Sequence, residues 1–345
     1  MIELGIGMFG DLQIDAQTGK IQPTDERLGE ILEEIKLMDE TGLDFFGMGQ
    51  HHRPDYAVAS PEILLTAAAA LTKNIKLGSA VSVVSSADPV KLFIDFATLD
   101  LLSGGRAEIM AGRGSFIESF PLFGYDLKDY DALFDEKLEL LVKLNEQKTI
   151  SWEGKFRPPL KDQQILPRPK QEQLPLWVAV GGTPNSVVRA GRLGLPVMFA
   201  IIGGTTSRFK PLIDFYKQSY EEHGHQMEDY QVGVHMHALF GDDGQKVADN
   251  YFPLYAAQMD RVGASRGWPK YTREQFDFGR SRQGHLLVSD PREAVEKILE
   301  VQEMFGLTRF SAHMDVGASN HQMMMKSIEI FGSKIAPEVR KHQKK

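Results

Sequence analysis

GLDFFGMGQHHRPDYAVASP, residues 42–61, is the stretch that decides how the chain is read. Leu43–Met48 is largely apolar and lies between Gly42 and Gly49, and Gln50, His51, His52 and Arg53 follow at once. An apolar run bounded by glycines reads as a strand buried on both faces, as in a parallel sheet. Polar and titratable groups just past the C-terminal end of such a strand stand where α/β enzymes place their chemistry. Histidine is the side chain that titrates near neutral pH without environmental tuning, which makes His51 and His52 candidate catalytic residues. The competing reading of this stretch alone is a solvated loop carrying two incidental histidines.

The pattern repeats on both sides. Upstream, Ile2–Phe9 is a plausible first strand, and Glu26–Glu40 is amphipathic, with Leu28, Ile31, Ile35 and Met38 on one helical face. Downstream, Ser60-Pro61 opens a helix, proline suiting the first helical position. IKLGSAVSVV (75–84) reads as strand three and Asp88-Pro89 starts a helix through Leu102. The turn Ser103-Gly104-Gly105 leads into strand four, Arg106–Ala111, which ends in Gly112-Arg113-Gly114. Tyr130–Gln147 is a long helix, and Trp152–Pro159 has the look of a short hairpin insertion. Leu176–Val180, Pro196–Ile202, Gln231–Phe240 and Arg309–Met314 supply strands five to eight, with helical runs between them and a last helix from about Gln322 to Ile335. Residues 263–288 show no periodicity and form the longest irregular stretch, a candidate cap or a surface insertion. Eight strands alternating with helices predict a single (β/α)8 TIM barrel with insertions, spanning residues 1–345. A doubly wound sheet is the alternative, but it more often stops at five to seven strands.

Composition narrows the function. A formal net charge of −8 argues against a nucleic-acid partner, because phosphate neutralisation needs a basic face. The absence of cysteine excludes disulfides, thiolate metal sites and a cysteine nucleophile. MIELGIGMFGD lacks a basic segment and its apolar run is short for a signal peptide. No stretch approaches a membrane span. The expectation is a soluble, cytoplasmic protein.

Three glycine-rich turns follow predicted strands: Gly112-Arg113-Gly114, Gly181-Gly182-Thr183-Pro184-Asn185-Ser186 and Gly203-Gly204-Thr205-Thr206. Glycines let backbone approach a ligand, and a helix start offers free N–H groups to an anion. Thr183, Asn185 and Ser186 add side-chain donors and Arg113 a counter-charge, which suits a phosphate. His235 and His237 alternate along strand seven and face one side, but no carboxylate or third histidine has recognisable ligand spacing, so no metal is expected.

These residues resemble the bacterial luciferase-like, flavin-dependent monooxygenases over nearly the whole chain. The resemblance rests on GLDFFGMGQHHRPDYAVASP, on IKLGSAVSVV…DPVKLFIDFATLDLLSGGRAEIMAGRG, on LPLWVAVGGTPNSVVRAGRLGLPVMFA and on FSAHMDVGASNHQMMMKSIEIFGSKIAP. It implies FMN at the C-terminal ends of the strands, reduced by a separate NAD(P)H:flavin reductase, and usually a homodimer. The absence of a Gly-x-Gly-x-x-Gly segment after a strand agrees with a separate reductase. By resemblance, reduced FMN reacts with O2 to a C4a-(hydro)peroxyflavin that oxygenates a small organic substrate. Arg113 matches the arginine on the flavin phosphate, and Gly181, Gly182, Thr183 and Ser186 match the phosphate-binding turn. His51 matches the histidine that assists oxygen chemistry, with His52 its companion. Ala80–Val81 matches a cis peptide beside the isoalloxazine ring, and Gly112 stands where luciferase has a reactive cysteine. Gln50 replaces a carboxylate common before the paired histidines. Light emission does not follow from this. Met8, Phe9, Phe45, Phe199 and Ile201 are candidate cavity walls. The rival implied by the same barrel is a deazaflavin (F420)-dependent oxidoreductase; a non-catalytic flavin-binding protein is a third possibility.

Overall fold

A computed structural model describes residues 1–15, 18–114, 116–264, 266–317 and 320–343. Eight parallel strands form a ring: β1 (Glu3–Met8), β2 (Phe45–Met48), β3 (Lys76–Ser79), β4 (Ala107–Gly112), β5 (Leu176–Val180), β6 (Val197–Ala200), β7 (Val232–Phe240) and β8 (Arg309–His313). β1 pairs with both β2 and β8, and β7 pairs with both β6 and β8, so the sheet closes on itself. This is a (β/α)8 TIM barrel, and closure disposes of the doubly wound alternative.

The period-2 alternation of each strand divides its residues between two environments. On β1, Leu4, Ile6 and Met8 join the core between barrel and helices, while Glu3, Gly5 and Gly7 face the barrel interior. The interior is layered. At the N-terminal floor, Arg309 pairs with Glu3 and Glu108, its guanidinium lying 4.4 Å from the Phe45 ring centroid and 4.3 Å from that of Trp177. Burial opposes that charge, but the Glu108 and Glu3 carboxylates more than compensate and raise the Arg309 pKa further. Above the floor lie Met110 and Met198, packed with Ala80 and Trp177. Above these the barrel opens.

Four expectations change. Ile75–Val84 is not one strand: β3 ends at Ser79, the Ala80–Val81 peptide is cis, and Ser82–Val83 resumes pairing beside β4. The hairpin is built from Thr149–Trp152 and Leu160–Gln164, so Trp152–Pro159 is mostly its connecting loop. The last helix, His321–Ile330, does not stop at Ile335 but continues through a π-turn into Ala336–His342. Residues 263–288 are not irregular throughout. Helix Gly244–Ala264 runs into that stretch, Arg273–Arg280 is helical behind a capping box of Thr272 and Gln275, and Leu287–Ser289 pairs with β7; Ser265 lies outside the described residues. Helix Arg273–Arg280 is only eight residues long and buries Phe276 and Gly279, too short a run to display more than two turns of a helical period.

Of these two helices, inserted between β7 and helix Pro291–Phe305, Gly244–Ala264 reaches the C-terminal end of the barrel and Arg273–Arg280 packs on it through Phe276. The Tyr255 hydroxyl meets His237 Nδ1 at 2.9 Å, Gln258 Nε2 donates to the Tyr56 hydroxyl at 2.9 Å, and Tyr251 donates to the Val316 carbonyl at 2.8 Å. Lys297 anchors the insertion from below, its ammonium donating to the Ser281 and Leu286 carbonyls at 2.7 Å each.

Candidate functional site

A cavity of about 180 Å³ opens at the C-terminal end of the barrel. Its two walls differ in chemistry. On the β3–β6 side, Ala80, Val81, Gly112, Ala179, Gly181 and Ala200 present small side chains or bare backbone. On the other side stand Phe9, His51 and His235, with Met110 and Met198 below. Small residues against a row of rings leave a slot suited to a planar group. Close approach is enforced at this wall: a Cβ on Gly112 would stand 2.5 Å from Val81 Cγ2. The glycine therefore makes room for Val81 at the cavity wall.

His51 follows β2 and lines this cavity, as the sequence indicates. Its ring packs between Phe9 (centroids 4.7 Å), Tyr56 (4.4 Å) and Phe116 (5.3 Å), and its Nε2 is buried without a hydrogen-bond partner. Desolvation pushes its pKa down to about 3, against the weaker opposing pull of Asp55, so the imidazole is neutral at neutral pH. His52 points elsewhere, to the Phe123 ring at 5.1 Å. Alternation along an extended chain sends neighbouring side chains to opposite sides. Gln50 connects the two regions: its Oε1 accepts from Val83 N at 2.9 Å and its Nε2 lies 3.0 Å from His52 Nε2. With its oxygen engaged, the Gln50 amide donates, which leaves His52 Nε2 the acceptor.

Arg113, Thr183 and Ser186 converge, although strands four and five supply them separately. Arg113 Nη2 donates to Ser186 Oγ at 3.1 Å, and Ser186 Oγ lies 2.7 Å from Thr183 Oγ1. Both hydroxyls sit at the start of helix Pro184–Arg192, where backbone N–H groups lack helical partners. Gly182 adopts φ +128°, a conformation side-chain-bearing residues rarely reach, and nothing lies within 4 Å of where a Cβ on Gly181 or Gly182 would stand. Arg113 also binds Asp131 Oδ1 through Nη1 at 2.6 Å.

Two histidines matter that the sequence did not assign to the site. His235 faces the cavity from β7, its Nδ1 3.2 Å from Ser311 Oγ on β8. Gly7 leaves room for it, since a Cβ there would lie 2.8 Å from His235 Cε1. His313 on β8 packs below Phe9 (centroids 4.1 Å) and beside His235 (4.7 Å), buried, with neither ring nitrogen hydrogen-bonded. The available signal was the His-x-His alternation on strand seven, whose second member pairs with His313 in register. Desolvation lowers the His235 pKa to about 4 and those of His237 and His313 well below the ordinary value. Among the described residues no group of histidines and carboxylates could hold a metal ion.

Of the five proposed wall residues only Phe9 lines the cavity. Met8, Phe199 and Ile201 point outward into the helix-facing core, and Phe45 belongs to the barrel floor against Arg309. Their strand parity decides this, because a residue one place along faces the opposite side.

The fold recurs in solved structures. Monooxygenase RslO1 from Streptomyces bottropensis superposes with a TM-score of 0.84 at 22% identity, covering 98% of this chain and 99% of that one. The oxygenating constituent of 3,6-diketocamphane monooxygenase from Pseudomonas putida, a type II Baeyer-Villiger monooxygenase in complex with FMN, gives 0.76 at 18% identity, covering 98% and 99%. A curated relative, the F420-dependent glucose-6-phosphate dehydrogenase of Amycolatopsis mediterranei, is 24% identical over 78% of this chain and 84% of its own length. No helix among the described residues is long and apolar enough to cross a membrane. With the family model for luciferase-like monooxygenases matching residues 3–308 of this barrel, the chain belongs to that family of oxidoreductases.

Proposed function

We propose that the protein is an FMN-dependent monooxygenase that takes reduced FMN from a separate NAD(P)H:flavin reductase and oxygenates a small organic substrate with O2, acting in the cytoplasm as a homodimer. The observation that carries this reading is the alignment of a planar slot with an anion cradle: Ala80, Val81, Gly112 and Ala179 at one end, Arg113, Thr183 and Ser186 at the other. The fit to a flavin phosphate is supported by a cation, two hydroxyls and an uncapped helix start in one place. A cavity of about 180 Å³ is smaller than the roughly 300–1,000 Å³ of whole-ligand sites. The ring system would accordingly take the slot, with Arg113, Thr183 and Ser186 holding the phosphate at its mouth.

When bound in reduced form, the flavin activates O2 for transfer of one oxygen atom to the substrate. The protein's own residues have three tasks. Arg113, Gly181, Gly182, Thr183 and Ser186 anchor the phosphate. Phe9, Met110 and Met198 exclude water from the slot floor, where stray protonation would waste the activated oxygen. His51, neutral because it is buried, donates a hydrogen bond from one ring nitrogen and accepts one at the other, and so holds or moves a proton above the slot. His235, braced by Ser311, is placed to hydrogen-bond a ligand from the adjoining wall.

The test is to incubate the protein with FMN, a flavin reductase, NADH and O2, and to profile oxidised products from a metabolite panel. Incorporation of one oxygen atom from labelled O2 supports the reading. Co-purification of a deazaflavin, identified by absorption and mass, together with hydride transfer and no oxygen incorporation, would replace it with the F420-dependent alternative.

A further inference from the structure

We propose that Asp131 competes with the flavin phosphate for Arg113, and so sets how tightly and how long the protein holds FMN; this rests on the phosphate cradle proposed above. The guanidinium fork is divided, Nη1 on Asp131 Oδ1 at 2.6 Å and Nη2 on Ser186 Oγ at 3.1 Å. A phosphate seated against Ser186 and Arg113 meets a carboxylate already on the same cation. Asp131 has 70% of its side chain exposed, so it can swing into water when displaced, whereas Arg113 is 27% exposed. Arg113 has its own support: its guanidinium lies 5.4 Å from the Tyr130 ring centroid, and the Tyr130 hydroxyl donates to the Gly114 carbonyl at 3.0 Å. The cation therefore stays in place without Asp131.

A purely structural role is the competing account. Asp131, Asp135 and Glu139 lie at successive turns of helix Tyr130–Glu146 and pair with Arg113, Arg189 and Arg192. The second and third pairs tie that helix to Pro184–Arg192. Only the first reaches a cation that also contacts the cradle hydroxyls, so only the first opposes a bound anion. A hold weakened in this way suits a cofactor that arrives reduced and leaves oxidised at each turnover.

The experiment compares the full-length protein with Asp131→Asn, titrating FMN and riboflavin by flavin fluorescence at low ionic strength. Removing a full charge within a few ångströms of a phosphate at the surface should lower the FMN Kd by about 3–10-fold. Riboflavin, which lacks the phosphate, should bind both proteins alike. Oxidised FMN should leave the variant more slowly by a similar factor, and added salt should shrink the difference. Weaker or unchanged FMN binding by Asp131→Asn, or equal tightening of riboflavin, overturns the proposal and leaves Asp131 a structural rung. Wild-type protein that does not favour FMN over riboflavin overturns the cradle itself, and this inference with it.

Discussion

Acidification should unfold this protein through its histidines. His51, His235, His237, His285 and His313 are all buried, and desolvation lowers the basicity of each, to about 3 for His51 and about 4 for His235 and His285. In the unfolded chain each titrates near about 6.5. Below that pH the unfolded chain takes up protons that the folded protein refuses. Their contribution is therefore intact above about pH 6.5 and is lost as pH falls toward the folded values. Between about pH 7 and pH 5.5 one such histidine costs about 1.2 kcal/mol, and five cost about 6 kcal/mol. Opposing groups reduce this. Burial raises Asp11 and Asp315, so the folded protein binds protons there first and part of the loss is offset. His321 donates from its ring to the Glu34 and Glu33 carboxylates, which raises its pKa to about 8 and, after solvent screening, returns less than about 1 kcal/mol. The net loss is therefore below about 6 kcal/mol, to be set against the roughly 5–15 kcal/mol of a typical domain. Urea denaturation at several pH values measures it. His313→Gln should lessen the loss by about 1.2 kcal/mol, because glutamine takes up no proton in the unfolded chain; the contact it gives up is that of Nε2 with Asp315 Oδ1 at 3.4 Å. Stability that is flat or rises on acidification, or a His313→Gln slope equal to wild type, would refute the assignment of these rings as buried and neutral.

Three further outcomes concern the site. Arg113→Ala should weaken FMN binding by about 1.5–3 kcal/mol, the range of a charge-assisted hydrogen bond, and an unchanged dissociation constant would remove Arg113 from the cradle. His51→Ala should leave FMN binding within a few-fold, lower product formation by roughly 10²–10⁴-fold and raise the share of hydrogen peroxide released. His52→Ala should do less, since its ring faces Phe123 and not the cavity; the reverse ranking in a coupling assay would exchange the two roles. Gly112→Ala brings a Cβ to 2.5 Å from Val81 Cγ2 and should cost about 1–3 kcal/mol of stability while narrowing the slot. Unaltered melting and flavin affinity in Gly112→Ala would show that Val81 moves aside freely.

The sequence alone determined the barrel, the three glycine turns and the pair of histidines after strand two. Each of these is local information: apolar runs of strand length, glycines where backbone turns, and polar residues clustered at a strand end. It also grouped Arg113 with Thr183 and Ser186 as donors suited to one phosphate. The Arg113–Ser186 hydrogen bond joins residues 73 positions apart, and closure of the barrel brings them together. Tertiary structure alone decided which side of each strand faces the cavity. One residue of parity separates Phe9, which lines it, from Met8 in the outer core, and both are equally apolar. The same geometry placed His235 at the cavity, through a glycine on β1 and a serine on β8 that are neighbours only across the closed sheet. The helix Arg273–Arg280 was hidden for a different reason. Its eight residues give only two turns, too few for a helical period to stand out, although the Thr272–Gln275 capping box that starts it was legible.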